Sequence, residues 1–191
     1  MDKNGTFNII VVGVGGQGLM TLLKIISQAA FDAGLDVKTS ELHGLSQRGG
    51  SVSVYIRFGE KVFSPLVPQG QADLILALEQ QESLNGLYFA NKKTVFLINQ
   101  QETPTMAQTA DKAEIEQELK KVVRRAIFLP ASNVCQKELG SDVFSGVYLL
   151  GYAAKKGFLP FKREELESAV RETMPEKYWE SNLKALELAG H

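Results

Sequence analysis

The sequence predicts a single α/β domain over residues 1–191, built on a mostly parallel sheet with a β-hairpin insertion and a helical C-terminus. Two patterns carry that prediction. Strand-length β-branched runs alternate with stretches at helical spacing, and the first run stops at a glycine cluster. Most of the 17 glycines also fall in the first hundred residues, where turns and ligand loops need them, while the second half is richer in charge, as surface helices are. A length of 191 residues suits one core and leaves little room for two.

The elements follow in order. Residues 7–12 read as a buried strand, continuous, β-branched and cut off by glycine. Residues 16–33 read as a helix with Leu19, Leu22, Leu23, Ile26 and Ala30 on the core face, and Thr21, Lys24, Gln28 and Asp32 on the other. Gly34 stands where a helix-ending glycine belongs, and residues 37–41 form the next strand. A strand–helix–strand unit implies a parallel sheet with a right-handed crossover. Residues 51–58 alternate strictly, with Val52, Val54, Ile56 and Phe58 on one face; a turn at Gly59–Glu60 and a return over 61–64 predict a β-hairpin. Strands are expected at 73–78, 94–99 and 126–129. Helices are expected from the end of the first of these to about Ala90, and before the last, burying Ile115, Leu119, Val122 and Val123. Everything after Ala131 reads as helix, chiefly 142–156, 162–173 and 176–188. The polar stretch 99–109, with Pro104, reads as a loop.

Composition excludes several functions. The 21 basic and 22 acidic side chains nearly cancel, so no general electrostatic grip on nucleic acid or an anionic membrane is expected. Cys135 alone cannot form an internal disulfide, an iron–sulfur site or a structural zinc site, and His43 and His191 add too little for a multi-histidine metal centre. The N-terminus lacks a signal-peptide pattern, and Lys24, Gln28 and Asp32 interrupt the longest apolar helix, so a cytoplasmic protein is expected.

Two segments could carry chemistry. Gly13-Val14-Gly15-Gly16-Gln17-Gly18 fits a GxGxxG turn between strand and helix, the Rossmann-like context in which backbone amides attract phosphate. Leu19-Met20 exclude a Walker A loop, while Asp36 and Glu41 lie at a distance suited to a ribose-holding acid. The competing explanation is that the glycines only permit helix-on-sheet packing. The second segment runs from His43 to Ser51 and brings together His43, Ser46, Gln47 and Arg48, then Gly49 and Gly50. It falls beyond a strand's carboxyl end, where open α/β sheets bind ligands, and Arg48 suits a carboxylate or phosphate; a surface turn with an ordinary ion pair is the bland alternative. A third stretch, Ser64-Pro65-Leu66-Val67-Pro68-Gln69-Gly70, reads equally as a stiff connector or a ligand wall. Glu79 and Glu82 could do acid–base work or act as helix-start acids, and Cys135 reads as a small buried hydrophobe.

Taken together, GVGGQG, SELHGLSQRGGSV and FSPLVPQGQADLILALE resemble the gamma subunits or domains of the 2-oxoacid:ferredoxin oxidoreductases. His43, Gly44, Gln47, Arg48, Gly49 and Gly50 stand in the form found in the indolepyruvate (arylpyruvate) branch, whose small subunit is called beta. The likeness covers residues 8–82.

The resemblance implies an enzyme subunit, inactive alone, in a complex that oxidatively decarboxylates a 2-oxo acid to an acyl-coenzyme A and reduces ferredoxin. Thiamine diphosphate, magnesium and iron–sulfur clusters are then expected on a large (alpha) partner subunit. This chain has neither a cysteine cluster nor a GDG…N thiamine–magnesium pattern. Coenzyme A is the implied co-substrate. The sites would be Gly13, Gly15, Gly16, Gln17, Gly18 and the His43–Ser51 segment. Two rivals stay open: a stand-alone NAD- or flavin-binding oxidoreductase, and a non-catalytic nucleotide-binding or assembly module.

Overall fold

The computed structural model describes residues 5–43, 50–102 and 110–189. Among these, strands β1 (Phe7–Val14), β2 (Asp36–His43), β3 (Ser51–Gly59), β4 (Leu74–Ala77), β5 (Val95–Asn99) and β6 (Arg125–Leu129) form one sheet in the order β2-β3-β1-β4-β5-β6. β1, β4, β5 and β6 run parallel, while β3 pairs antiparallel with both β1 and β2. The fold is therefore mixed α/β with a mostly parallel sheet.

The expected hairpin is corrected. Residues 61–64 form no strand, and β3 is not a peripheral insertion. It lies between β1 and β2, from Phe7↔Phe58 to Val14↔Ser51 on one side and from Asp36↔Gly59 to His43↔Val52 on the other. β1 and β2 thus point the same way without touching. The strict alternation was real, but both faces are covered here: Tyr55 and Arg57, on the supposedly polar side, are buried. The segment after β3 is tied instead by the Val62 N–H, which donates to Asp36 Oδ2 at 3.0 Å.

Two cores flank the sheet. On one face α1 (Leu19–Asp32), α3 (Ala131–Leu139), α4 (Ser145–Lys155), α5 (Arg163–Thr173) and α6 (Trp179–Leu188) cover Ile9, Val11, Ile56, Leu74 and Leu97. On the other, the connector after β3, a 3₁₀ segment (Gln81–Phe89) and α2 (Lys112–Val122) cover Ile10, Val12, Ile75, Phe96 and Ile98. Strands buried on both faces read as unbroken apolar runs, which is why β1, β4 and β5 were legible. α1 starts at Leu19 rather than Gly16, because Gly16 and Gly18 hold left-handed backbone. Its buried face includes Ile25 and Ala29 in place of Leu23. The expected helix up to Ala90 is 3₁₀, with the poor helix formers Asn85 and Gly86 at its centre.

The C-terminal layer is packed backbone to backbone at Gly151. A Cβ there would stand 2.9 Å from Leu186 Cα and closer still to the Leu186 carbonyl oxygen. Gly151→Ala is therefore expected to push α4 from α6 and to cost about 2–3 kcal/mol in chemical denaturation. Gly146→Ala, whose nearest atom is the movable Leu22 Cδ1 at 3.1 Å, is expected to cost less.

Candidate functional site at the carboxyl edge of the sheet

The glycine loop leaves the end of β1 and enters α1. Gly16 (φ 101°) and Gly18 (φ 85°) adopt backbone that side chains resist, and Gly18 is the N-cap. Gly13 is needed for another reason: a Cβ would lie 2.8 Å from Gln17 Oε1 and 3.1 Å from Leu78 Cβ. Gln17 folds back into its own loop, its Oε1 accepting the Val14 N–H at 2.8 Å while its N–H donates to the Val14 carbonyl at 3.1 Å. The Gln17 side-chain amide oxygen thus braces the turn from inside.

Gly50 and Ser51 meet this loop from β3. The Gly15 N–H donates to the Gly50 carbonyl at 3.0 Å. The Ser51 hydroxyl donates to Glu82 Oε2 at 2.6 Å and accepts from Asn85 Nδ2 at 3.2 Å, and Asn85 also donates to Glu82 Oε2 at 2.7 Å. Glu79, buried, accepts the Glu82 N–H at 3.0 Å. The two glutamates are therefore hydrogen-bond acceptors with separate partners. His43 ends β2 on the same edge, its Nε2 3.0 Å from Glu41 Oε2. Ser46, Gln47, Arg48 and Gly49 lie outside the described residues. The structure thus brings together Gly13, Gly15, Gly16, Gln17, Gly18, Gly50 and Ser51. His43 stands apart on β2, with β3 between it and β1.

The ribose-acid expectation fails for Asp36. It begins β2, at the opposite edge from the glycine loop. The Val62 N–H, and then Lys38, hold its carboxyl below the usual range. Glu41 is on the outer strand, spent on His43. A dinucleotide crevice places the second strand of the unit beside the first; antiparallel β3 takes that place here.

Sequence reasoning missed Asn85, and it missed the wall that the C-terminal helices lend to the edge. A cavity of about 420 Å³ opens beside Gly18, lined by Thr21, Lys24, Phe144, Met174 and Tyr178 among others. No local periodicity marks residues that converge from such distant parts of the chain. The proline stretch links β3 to β4, and its Ser64 and Leu66 carbonyls accept from the buried Arg57. Cys135 is buried, and its thiol is pushed up to about 11, by burial first and then by the charge of Asp142, which leaves it inert near neutrality.

Among the described residues no group of three or more His, Cys, Asp and Glu could hold a metal ion, and the whole sequence has one cysteine. One cysteine does not fit an iron–sulfur cluster, which takes several cysteine ligands. No helix among the described residues is long and apolar enough to cross a membrane. Fold and edge define a class: an α/β domain in which a glycine turn after the first strand meets Gly50 and Ser51 at the carboxyl edge of the sheet.

Known proteins place it further. The pattern of the pyruvate ferredoxin/flavodoxin oxidoreductase family matches residues 8–190, and the chain belongs to that family. It is 44% identical over 187 residues to the indolepyruvate oxidoreductase subunit IorB of Archaeoglobus fulgidus, covering 95% of this chain and 92% of that one. It is 33% identical to the subunit of the same name from Thermococcus kodakarensis, covering 95% and 93%. Among solved structures, the keto/oxoacid ferredoxin oxidoreductase gamma subunit of Geobacter sulfurreducens shares the fold with a TM-score of 0.70 at 22% identity, over 96% of this chain and 95% of that one. The 2-oxoglutarate:ferredoxin oxidoreductase of Magnetococcus marinus, solved with 2-oxoglutarate, coenzyme A and succinyl-CoA, matches with a TM-score of 0.72 at 20% identity; 97% of this chain covers 31% of that chain.

Proposed function

We propose that this chain is the small (beta) subunit of an indolepyruvate- or arylpyruvate:ferredoxin oxidoreductase. The complex would cleave carbon dioxide from a 2-oxo acid, pass the acyl group to coenzyme A and send the released electrons to ferredoxin. The observation that carries this reading is the 44% identity to an indolepyruvate oxidoreductase subunit, sustained over 95% of the chain. On this reading thiamine diphosphate, magnesium and the clusters belong to the large partner subunit; the single cysteine of this chain supports that for the clusters, and its lack of a GDG…N pattern supports it for the thiamine–magnesium site.

This subunit's own task is to complete the cleft. The glycine loop and the His43–Ser51 segment, with Arg48, would face anionic groups of coenzyme A or the oxo acid. Such contacts position reactants and stabilise charge, and need no proton-transfer residue. The test is reconstitution with the large subunit, following viologen reduction with arylpyruvates and coenzyme A, with and without this chain. Turnover that requires both chains is expected; turnover by this chain alone, or by the large subunit unaided, overturns the proposal.

The Arg48 role has its own test. Arg48→Ala is expected to raise the KM for coenzyme A or for the oxo acid by about tenfold, the size of one lost charge-assisted contact, while the complex still co-purifies. Unchanged steady-state kinetics in that variant would discard the Arg48 contact.

A further inference from the structure

Building on the functional reading above, we propose that Glu82 and Asn85 are positioning residues that act through Ser51 to lock β3 against the glycine loop. The geometry forms a closed chain of bonds. Val14↔Ser51 is the last pair of the β1–β3 ladder, and one step beyond it the Gly15 N–H donates to the Gly50 carbonyl. The end of a ladder is where pairing frays, because nothing beyond it holds the strand.

Here something does. The Ser51 hydroxyl gives its only hydrogen to the Glu82 carboxylate at 2.6 Å, a charge-assisted bond, and accepts one from Asn85. Asn85 in turn fixes the same Glu82 oxygen, and the Glu79 carboxylate holds the Glu82 backbone from below. Glu79 is buried, so the anchor of the chain is set in the core rather than on a mobile surface. The Gly50 carbonyl, and through it Gly15, is thereby held relative to β4 and the 3₁₀ segment.

Two consequences follow for Ser51. Its hydroxyl donates to Glu82 and accepts from Asn85, so both contacts tie β3 to the 3₁₀ segment. Its importance lies in geometry, as the joint between two segments that the functional reading places against anionic groups. Glu82 and Asn85 touch neither segment's amides themselves, which makes them positioning residues rather than catalytic ones.

Two measurements test this on the full chain and its complex. The first is hydrogen exchange at the Gly15 amide. Glu82→Ala is expected to speed it roughly tenfold, as for loss of one charge-assisted bond, with Glu82→Gln nearer to wild type because its amide oxygen still accepts. Gly15 exchange unchanged in Glu82→Ala overturns the lock.

The second is kinetic, in the reconstituted complex. Glu82→Ala is expected to raise the KM for coenzyme A or for the oxo acid about fivefold, with kcat altered less than about twofold. Combining it with Ser51→Ala should add nothing further, because both act on one joint. Additive effects of the two substitutions, or a lowered Tm with unchanged KM, overturn the positioning role. Absence of turnover in the wild-type complex would instead strike the functional reading, and the exchange measurement reads the lock independently of it.

Discussion

Arg57→Ala is expected to remove about 3–5 kcal/mol of folding stability, because three acceptors that are buried or partly buried lose their donor together. Arg57 lies on β3 with 9% of its surface exposed, on the face that simple alternation would have turned to water. Its Nε donates to Asn8 Oδ1 at 2.7 Å, and one terminal nitrogen donates to the Ser64 and Leu66 carbonyls at 2.9 Å each. Asn8 is fully buried and holds the start of β4 in turn, through Asp73 Oδ2 and the Gln71 carbonyl. Truncation leaves the Asn8 side-chain oxygen and both carbonyls short of a donor. Each buried acceptor left unsatisfied costs about 1–3 kcal/mol. Lysine cannot restore the set, since a single ammonium cannot reproduce the planar fork. Guanidinium denaturation should show a lower midpoint with an unchanged slope. A loss below about 1 kcal/mol would mean that the network relaxes onto water. Arg57 pairs with Asn8 at the start of β1, away from the glycine loop, so KM values of the folded complex should stay as they are.

That network also explains what could not be read from the sequence. The proline stretch reads as either a connector or a ligand wall because what ties it to Arg57 is two backbone carbonyls, which have no letter. The β3 alternation was visible, but alternation names a face and never a partner. Nothing local says that residue 58 pairs with residue 7, or that the strand slides between β1 and β2. Tyr55 and Arg57 read as a solvated face in the sequence, and only the second layer shows them buried. By contrast, β1, β4 and β5 were legible because burial on both faces leaves continuous apolar runs. The glycine loop was legible because left-handed turns select glycine. The Gln17 side-chain amide stays within that turn, its oxygen accepting the Val14 N–H. The Ser51–Glu82–Asn85 joint was not legible: its members are 31 and 34 positions apart, beyond any helical or strand period.

Gly16→Ala and Gly34→Ala are expected to separate stability from function at the two ends of α1. Both glycines hold positive φ, 101° and 74°, and neither has any heavy atom within 4 Å of where a Cβ would sit. Sterics around the new methyl group are therefore absent in both, and what remains is backbone strain of about 1–2 kcal/mol. At Gly34, past the C-terminal end of α1, that strain is paid as lost stability alone. At Gly16 the loop can relieve it by turning its amides, and the Gln17 brace and the Gly15–Gly50 bond lie on either side of it. Displacing reactant-positioning groups by about 1 Å can cost on the order of 10²-fold in rate. The expected result is a similar small fall in Tm for both variants, with kcat/KM of the reconstituted complex lost on the order of 10²-fold only for Gly16→Ala. Equal activity in the two would mean that the glycine turn serves helix packing and contacts no reactant, and the cleft would have to be built from the His43–Ser51 side alone.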